Sequence, residues 1–173
     1  MEVRRAQAGD IDKIELIYEH IHDEEECGAA TIGWIRNVYP VRKTAEDALK
    51  REDLFVMIDE GQFVATAIIN QIQVPEYVNA AWKHAAGENE VMVLHTLVVD
   101  PKEKKKGYGK AFVAFYEEYA KQHNCNELRM DTNARNERAR KMYAKLGYEE
   151  TGIVGCVFNG IPDVQLVCLE KHL

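Results

Sequence analysis

The chain has 173 residues, of which 46% are hydrophobic, and this is enough to bury a core within one domain spanning residues 1–173. Its formal net charge of −7 argues against nucleic acid as a partner, because binding to a phosphate backbone is driven by clustered Lys and Arg. The sequence contains no apolar run near the ~20 residues that cross a bilayer, and residues 1–5 are too polar for a signal peptide. We therefore expect a cytoplasmic protein without membrane contact.

The cysteines are widely spaced and form no CxxC pair, which argues against both a zinc knot and a disulfide framework. They are Cys27, Cys125, Cys156 and Cys168. We expect them to be reduced and mostly buried. His20 and His22 precede an acidic run at residues 23–26, but residues two apart on a helix do not share a face. We therefore predict no metal.

The first fifty residues predict a strand followed by two helices. Residues 2–6 suit a first strand, and Asp10 is a good N-cap for the helix that follows. Isoleucines recur along that helix at the spacing of a single buried face. They are Ile11, Ile14, Ile17 and Ile21. Thr44 and Asp47 then resemble a capping box that opens a short second helix.

The middle of the chain predicts strands around one long connection. Residues 54–58 and 63–69 are rich in β-forming side chains and are parted by a turn, which predicts a hairpin. Residues 91–99 form an apolar central strand. The twenty residues between, 71–90, are long for a loop in a compact domain, and such loops are commonly functional. Its aromatic residues and His84 are predicted to cover an acceptor pocket, or residues 76–85 form a short surface helix.

The last third predicts two helices and three strands. A long helix follows the central strand and carries an aromatic stripe that includes Phe112 and Tyr116. A strand at residues 128–131 and a helix at residues 136–146 come next. A final hairpin pairs residues 153–158 with 164–169. The complete order, β, α, α, β, β, β, α, β, α, β, β, predicts the α/β class.

The most informative segment joins the central strand to the long helix. A strand, a basic loop and two glycines, Gly107 and Gly109, open that helix. The first turn of a helix carries unpaired N–H groups and the positive end of the dipole, so this order suits a bound phosphate. Lysines at 102, 104, 105, 106 and 110 surround the place with positive charge. We therefore expect a phosphorylated cofactor.

Two familiar phosphate loops do not fit these residues. A Walker loop needs Ser or Thr after its Lys, whereas Lys110 is followed by Ala111, and it needs an earlier glycine that residues 100–105 lack. A dinucleotide fingerprint needs a small residue where Phe112 stands. The pattern that remains is KxxGxG over residues 104–109, directly after the sequence LVVDP.

This pattern resembles the acyl-CoA signature R/QxxGxG/A of the GNAT superfamily of N-acetyltransferases, with Lys104 at its first position. A second segment, NERARKMYAKLGY at residues 136–148, resembles the second motif of that family. The resemblance spans most of the chain and is strongest over residues 91–148. It implies a mixed, mostly antiparallel twisted sheet of six to seven strands flanked by about four helices. It also implies acetyl-CoA as co-substrate.

The resemblance assigns cofactor contacts along both motifs. Backbone N–H groups at the end of the central strand would pair with the pantetheine arm and hold the thioester oxygen, and the glycine loop would hold the pyrophosphate. The implied residues are Leu97, Val98, Val99, Lys104, Lys105, Lys106, Gly107, Tyr108, Gly109, Lys110, Asn133, Asn136, Ala139 and Tyr143.

The resemblance also nominates two catalytic side chains. Tyr143 would be the acid that protonates the departing thiolate, although it also lies on an apolar helix face where a packed aromatic is the alternative. His95 would be the base, because an imidazole titrates near neutrality, although a hydrogen-bonded core histidine is the alternative. Glu90, Asp131 and ordered water are further candidates for the base.

The predicted activity is acetyl transfer from acetyl-CoA to a primary amine of a small molecule, by direct attack in a ternary complex. In this family the region between the first two helices commonly lines the acceptor site, so residues 24–39, including Trp34, are expected there. The alternatives are a non-catalytic acyl-CoA binding module and a protein N-terminal or lysine acetyltransferase. A homodimer is also possible.

Overall fold

A computed structural model describes residues 1–103 and 106–173. Lys104 and Lys105, both predicted to contact the cofactor, lie outside the described residues. The strands are β1 (Glu2–Arg5), β2 (Leu54–Asp59), β3 (Gln62–Asn70), β4 (Val91–Val99), β5 (Glu127–Asn133), β6 (Glu149–Phe158) and β7 (Ile161–His172). The α-helices are α1 (Ile11–Glu26), α2 (Arg42–Lys50), α3 (Tyr108–Gln122) and α4 (Glu137–Lys145).

The seven strands form one sheet in the order β1-β2-β3-β4-β5-β7-β6. Neighbouring strands run antiparallel except β4 and β5, which are parallel. This arrangement confirms the predicted class, a mixed and mostly antiparallel sheet with four α-helices. Among the described residues, no helix has the length and apolar character needed to span a bilayer.

Two local expectations differ from the structure. The second helix begins at Arg42, and Thr44 is its third residue, with a hydroxyl that accepts a hydrogen bond from the Val41 N–H at 3.1 Å. Thr44 therefore stabilises the first turn as a residue within the helix and not as its N-cap. The long connection does not form a helix over residues 76–85 but a 3₁₀ turn over Pro75–Asn79. Proline at the start favours that turn, and Tyr77 is its one buried side chain.

The core lies on both faces of the sheet. One face packs against α3 through fully buried side chains such as Phe112 and Tyr116. The other face packs against α1 and α2, where Ile14 and Ile17 are fully buried, as the isoleucine spacing predicts. A third cluster lies beneath the long connection, around Tyr77. The four cysteines are free, with Cys125 and Cys168 buried and Cys27 exposed.

A bulge in β4 positions the candidate site. Thr96 has a φ of +51°, which is unusual for a β-branched residue. The alternation of side chains shifts there, so Leu94 and Leu97, three residues apart, pack toward the same cluster. The paired register of β4 with β5 ends at Leu94 and Met130, while both strands continue. The two strands therefore separate and leave a cleft between them.

Candidate active site

A cavity of about 130 Å³ occupies the cleft between β4 and β5. Its floor comes from residues 94–97 of β4 and residues 131–133 of β5. Asn136, Ala139 and Tyr143, at the start and along the inner face of α4, form one wall. The cavity thus brings together candidates from both predicted motifs, because the separating strands bring the carboxyl end of β5 beside the first turn of α4.

Aromatic side chains form the opposite wall. Trp34 and Tyr39 come from the connection between α1 and α2, and their rings meet edge to face with centroids 5.9 Å apart. The Tyr39 hydroxyl is hydrogen-bonded to the Thr96 hydroxyl at the bulge. Phe158, at the end of β6, and Ile161, at the start of β7, complete the enclosure. The cavity is therefore apolar on this side.

Asp131 is the carboxylate in this cavity. Burial raises the pKa of Asp131 to about 7, and the negative charge of Glu76 acts in the same direction. The Tyr77 hydroxyl donates a hydrogen bond of 2.8 Å to Asp131 Oδ2, which favours the ionised form and limits the rise in pKa. A carboxyl group with this pKa exchanges a proton near neutral pH, as a general base must.

His95 also lines this cavity, but its ring is held differently. Its Nε2 lies 3.0 Å from Asn70 Oδ1, and the ring is half-buried. Burial lowers the pKa of His95 to about 4, so the imidazole is neutral at physiological pH. Its assignment as base stays a prediction. Glu90, by contrast, lies at the opposite end of β4, where it is exposed and accepts a hydrogen bond from the Gly87 N–H at 2.8 Å.

The sequence left two alternatives for Tyr143, a side chain of the active site or a packed aromatic, and the structure combines both positions. Its ring packs edge to face against Tyr148, with centroids 6.0 Å apart, and its side chain also lines the cavity. Burial raises the pKa of Tyr143, and the nearby charge of Asp131 raises it further. The phenol therefore holds its proton across the physiological range. Its catalytic role stays a prediction.

The two asparagines have structural partners in the fold. Asn136 caps α4, its Oδ1 accepting from the Ala139 N–H at 3.2 Å, and its Nδ2 donates to the Thr132 hydroxyl at 3.2 Å. Asn133 Oδ1 accepts from the Arg135 N–H at 3.0 Å. These bonds hold the turn that joins β5 to α4. Contact of either asparagine with pantetheine stays a prediction.

The glycine loop lies at the start of α3. Gly107 is the residue before the helix and has a φ of +83°, a conformation that glycine adopts without a Cβ penalty. A Cβ on Gly109 would lie 3.2 Å from Met142 Sδ, so this glycine leaves room for the Met142 side chain. Gly107 thus has a backbone reason for its place, and Gly109 has a packing reason.

The side chains of the loop divide between solvent and the protein. Tyr108 is buried, and its hydroxyl donates a hydrogen bond of 2.7 Å to Asp59 Oδ2. Lys106 forms an ion pair of 2.7 Å with Glu103, whereas Lys110 is exposed. Tyr108 therefore anchors the loop, and its backbone is the part that remains for a ligand.

Sequence reasoning missed two features of the cavity. Tyr39 ends the range 24–39 that was expected at the acceptor site, but nothing in its local sequence predicts its hydrogen bond to Thr96. The bond between Tyr77 and Asp131 joins residues 54 positions apart, and no periodicity predicts such a pair. The long connection was expected above the acceptor pocket. Its Val74 does line the cavity, but Tyr77 lies beneath it as a support for Asp131.

Comparison with known proteins decides the family. The model of the acetyltransferase (GNAT) family matches residues 14–148 of the chain. The chain belongs to this family. The predicted resemblance is thereby confirmed, and the protein is an acetyltransferase of the kind that uses acetyl-CoA. No curated protein matches the sequence.

Solved structures of several GNAT acetyltransferases have a similar fold. A GNAT acetyltransferase from Streptococcus agalactiae superposes with a TM-score of 0.84 at 20% identity, over 99% of this chain and 95% of that one. One from Listeria monocytogenes gives a TM-score of 0.75 at 20% identity, over 99% and 94%. The structure of yncA, a putative acetyltransferase from Salmonella typhimurium, was solved with acetyl-CoA. It superposes with a TM-score of 0.70 at 15% identity, over 100% of this chain and 94% of that one. At these identities the likeness concerns the fold.

Proposed function

We propose that this GNAT enzyme is a single domain that transfers an acetyl group from acetyl-CoA to a primary amine of a small molecule. The acceptor would attack directly while both substrates are bound. The observation that carries the proposal is the cavity between β4 and β5, where Asp131, with a pKa of about 7, and the protonated Tyr143 share one enclosure. Such a pair supplies a base and an acid at the same place.

The chain fits acetyl-CoA at two places. Gly107, in the left-handed conformation, leads into the fifteen-residue helix α3, whose first N–H groups suit the pyrophosphate. Beyond Leu94, the edge of β4 that faces β5 continues past their paired register, which leaves room for an extended arm along Leu97–Val99. When bound there, acetyl-CoA supplies the acetyl group as an activated thioester.

Asp131 is the proposed base. An alkyl ammonium has a pKa near ~10, so it must lose a proton before its nitrogen attacks. The Asp131 carboxylate accepts that proton, and the Tyr77 hydroxyl keeps the carboxylate oriented toward the cavity. His95, the base expected from the family resemblance, is the alternative within the same cavity.

Tyr143 is the proposed acid, and backbone N–H groups complete the site. Tyr143 lines the cavity and is protonated at neutral pH, so its phenol is placed to give a proton to the departing sulfur. The N–H groups of residues 97–99, next to the bulge at Thr96, are the proposed donors to the thioester oxygen. The role of the bulge is then to turn these donors toward the cleft.

The shape of the cavity favours a small acceptor. A volume of about 130 Å³, walled by Trp34, Tyr39 and Phe158, suits a compact amine with an apolar portion. Asp131, as the carboxylate on the floor, would receive its ammonium end.

The experiment is a thiol-release screen with acetyl-CoA against amino acids, polyamines, aminoglycosides, arylalkylamines and peptides. We expect turnover with a small amine. In the Tyr143→Phe variant we expect kcat to fall by about 10²-fold or more, with little change in the Kd of acetyl-CoA. Tyr148→Phe is the matched control, since its hydroxyl is buried outside the cavity and its turnover should stay near that of the wild type.

Three results would count against parts of this proposal. Equal turnover in Tyr143→Phe and the wild type removes Tyr143 as the acid. Turnover with peptides alone removes the small acceptor. Binding of acetyl-CoA without thiol release for any amine favours the non-catalytic acyl-CoA module instead.

A further inference from the structure

Three potential metal ligands converge on the face of the sheet below the long connection. His84 belongs to that connection, Glu127 begins β5, and Glu170 lies near the end of β7. Their ligating atoms all lie within 4.8 Å of one another. His84 Nδ1 is 3.7 Å from an oxygen of each carboxylate. This cluster lies outside the residues that line the acetyl-transfer cavity.

The two carboxylates are buried without full compensation. Glu127 is 2% exposed and Glu170 is 1% exposed. One oxygen of each, Glu127 Oε1 and Glu170 Oε2, has no hydrogen-bond partner within the described part of the chain. A buried carboxylate oxygen left without a hydrogen-bond partner is costly. Among the described residues no Lys or Arg side chain forms an ion pair with either carboxylate, and His84 and His172 are the basic side chains beside them.

The charged neighbours do not fill this need. Arg129 lies on the same face of β5, but its guanidinium donates to Gln73 Oε1 at 2.5 Å and to the His84 carbonyl at 3.1 Å. His172 Nδ1 lies 3.1 Å from the other oxygen of Glu127. The Lys83 N–H donates to Glu170 Oε1 at 2.7 Å. The carboxylate oxygens left for a cation are therefore Glu127 Oε1, which lies 3.7 Å from His84 Nδ1, and Glu170 Oε2.

We propose that His84, Glu127 and Glu170 bind a divalent transition metal such as Zn²⁺. Zinc takes His nitrogen and carboxylate oxygen at about 2.0–2.2 Å, which places tetrahedral ligands about 3.4 Å apart. The observed 3.7 Å separations from His84 Nδ1 need only a small contraction. Water, or His172 after a small shift, would complete the coordination. The set lies on three distant parts of the sequence, so no local motif predicts it.

The proposed metal would have a structural role. It would tie the long connection to β5 and β7 through His84. The same connection carries Tyr77, whose hydroxyl donates to Asp131 in the cavity. Metal binding would therefore stabilise the connection that positions Tyr77 beside Asp131. The metal itself would not contact the residues that line the cavity.

The experiment uses tag-free, chelator-treated protein carrying Trp34→Phe, which leaves Trp82 as the tryptophan of the chain. The Trp82 ring stacks on Arg129, 4.2 Å from its Cζ, next to the cluster. Co²⁺ is titrated while Trp82 fluorescence is recorded, and Zn²⁺ is then added as competitor. The variants are His84→Ala and Glu127→Gln. His123→Ala is the matched control, since His123 is exposed on another part of the molecule.

We expect Co²⁺ to quench Trp82, Zn²⁺ to reverse the quenching, and Zn²⁺ to raise the Tm. His84→Ala and Glu127→Gln should each weaken binding by about tenfold or more and abolish the Tm shift, whereas His123→Ala should bind as the parent does. The Tm of metal-free Glu127→Gln should equal or exceed that of the parent, which shows that the variant folds. Absence of quenching, or equal affinity in parent and variants, overturns the proposal.

Discussion

At the scale of single residues, the cavity holds two candidate bases whose pKa values are shifted in opposite directions by burial. Burial raises the pKa of Asp131 to about 7 and lowers that of His95 to about 4. Burial disfavours the charged form of each group, so it acts in opposite directions on an acid and on an imidazole. The two candidates therefore differ in the pH range where each would limit the rate.

The first prediction separates these bases through the pH profile of kcat/KM. If Asp131 is the base, activity in the wild type rises as the pH passes about 7, because the carboxyl must lose its proton. Asp131→Asn should lower activity by about 10²-fold or more and remove that limb. His95→Ala should keep the limb near pH 7, since an imidazole with a pKa of about 4 does not titrate there.

The contrary result is equally clear. Loss of the limb in His95→Ala, together with its survival in Asp131→Asn, would make His95 the base. Binding of acetyl-CoA, measured for both variants, controls for damage to the donor site.

The residues of the site were predictable to the extent that they belong to a local motif. One wall of the cavity contains Asn136, Ala139 and Tyr143. They lie together because residues three or four positions apart project from the same face of a helix. Asp131 was named only as a substitute for His95, because burial raises its pKa and the hydrogen bond from Tyr77 limits that rise. Neither influence is visible in the neighbouring sequence.

At the scale of elements, the loop before α3 depends on one glycine conformation. Gly107 has a φ of +83° and no heavy atom within 4 Å of a built Cβ. Gly28 offers a matched control, with a φ of +76° and equally open surroundings. The two positions share the backbone strain that a Cβ would cause, but only Gly107 lies in the proposed pyrophosphate loop.

The second prediction uses this pair. Gly107→Ala and Gly28→Ala should each lower the free energy of unfolding by about 1 kcal/mol, because an L-residue is strained in the left-handed region. Only Gly107→Ala should weaken the binding of CoA as well, by about tenfold or more, measured by calorimetry. An equal CoA affinity in the two variants would argue against pyrophosphate binding at this loop.

Most elements were predictable because their patterns are strong. The strand at residues 91–99 and the hairpin of β2 and β3 follow from apolar runs and a turn, and both are confirmed. The ends of α2 and the course of residues 71–90 were not. The latter segment is held by contacts with distant strands, such as Tyr77 with Asp131, and not by its own propensity.

At the scale of the whole molecule, the buried Asp131 links stability to pH. In the unfolded chain its pKa is near the ordinary value of 3.8, and in the folded protein it is about 7. Between these values the folded state holds a proton that the unfolded state has lost. The contribution of Asp131 to stability therefore falls as the pH rises through this window.

The third prediction tests that linkage. The Asp131→Asn variant keeps an oxygen that can accept from Tyr77 but has no proton to lose. Its free energy of unfolding, relative to that of the wild type, should rise from pH 4 to pH 7 and level off above. Urea denaturation at several pH values measures this difference. A constant difference across the window would show that the pKa of Asp131 is ordinary in the folded protein.

The parting of β4 and β5 has a consequence for the sheet itself. These strands pair over four residues, from Val91 with Glu127 to Leu94 with Met130, and this seam joins β1–β4 to the remaining three strands. A donor whose arm lay along residues 97–99 would extend the seam from one side with hydrogen bonds of its own. The bound donor would then stabilise the sheet as well as deliver its acetyl group. The enzyme with its donor bound would therefore be more resistant to unfolding than the free enzyme.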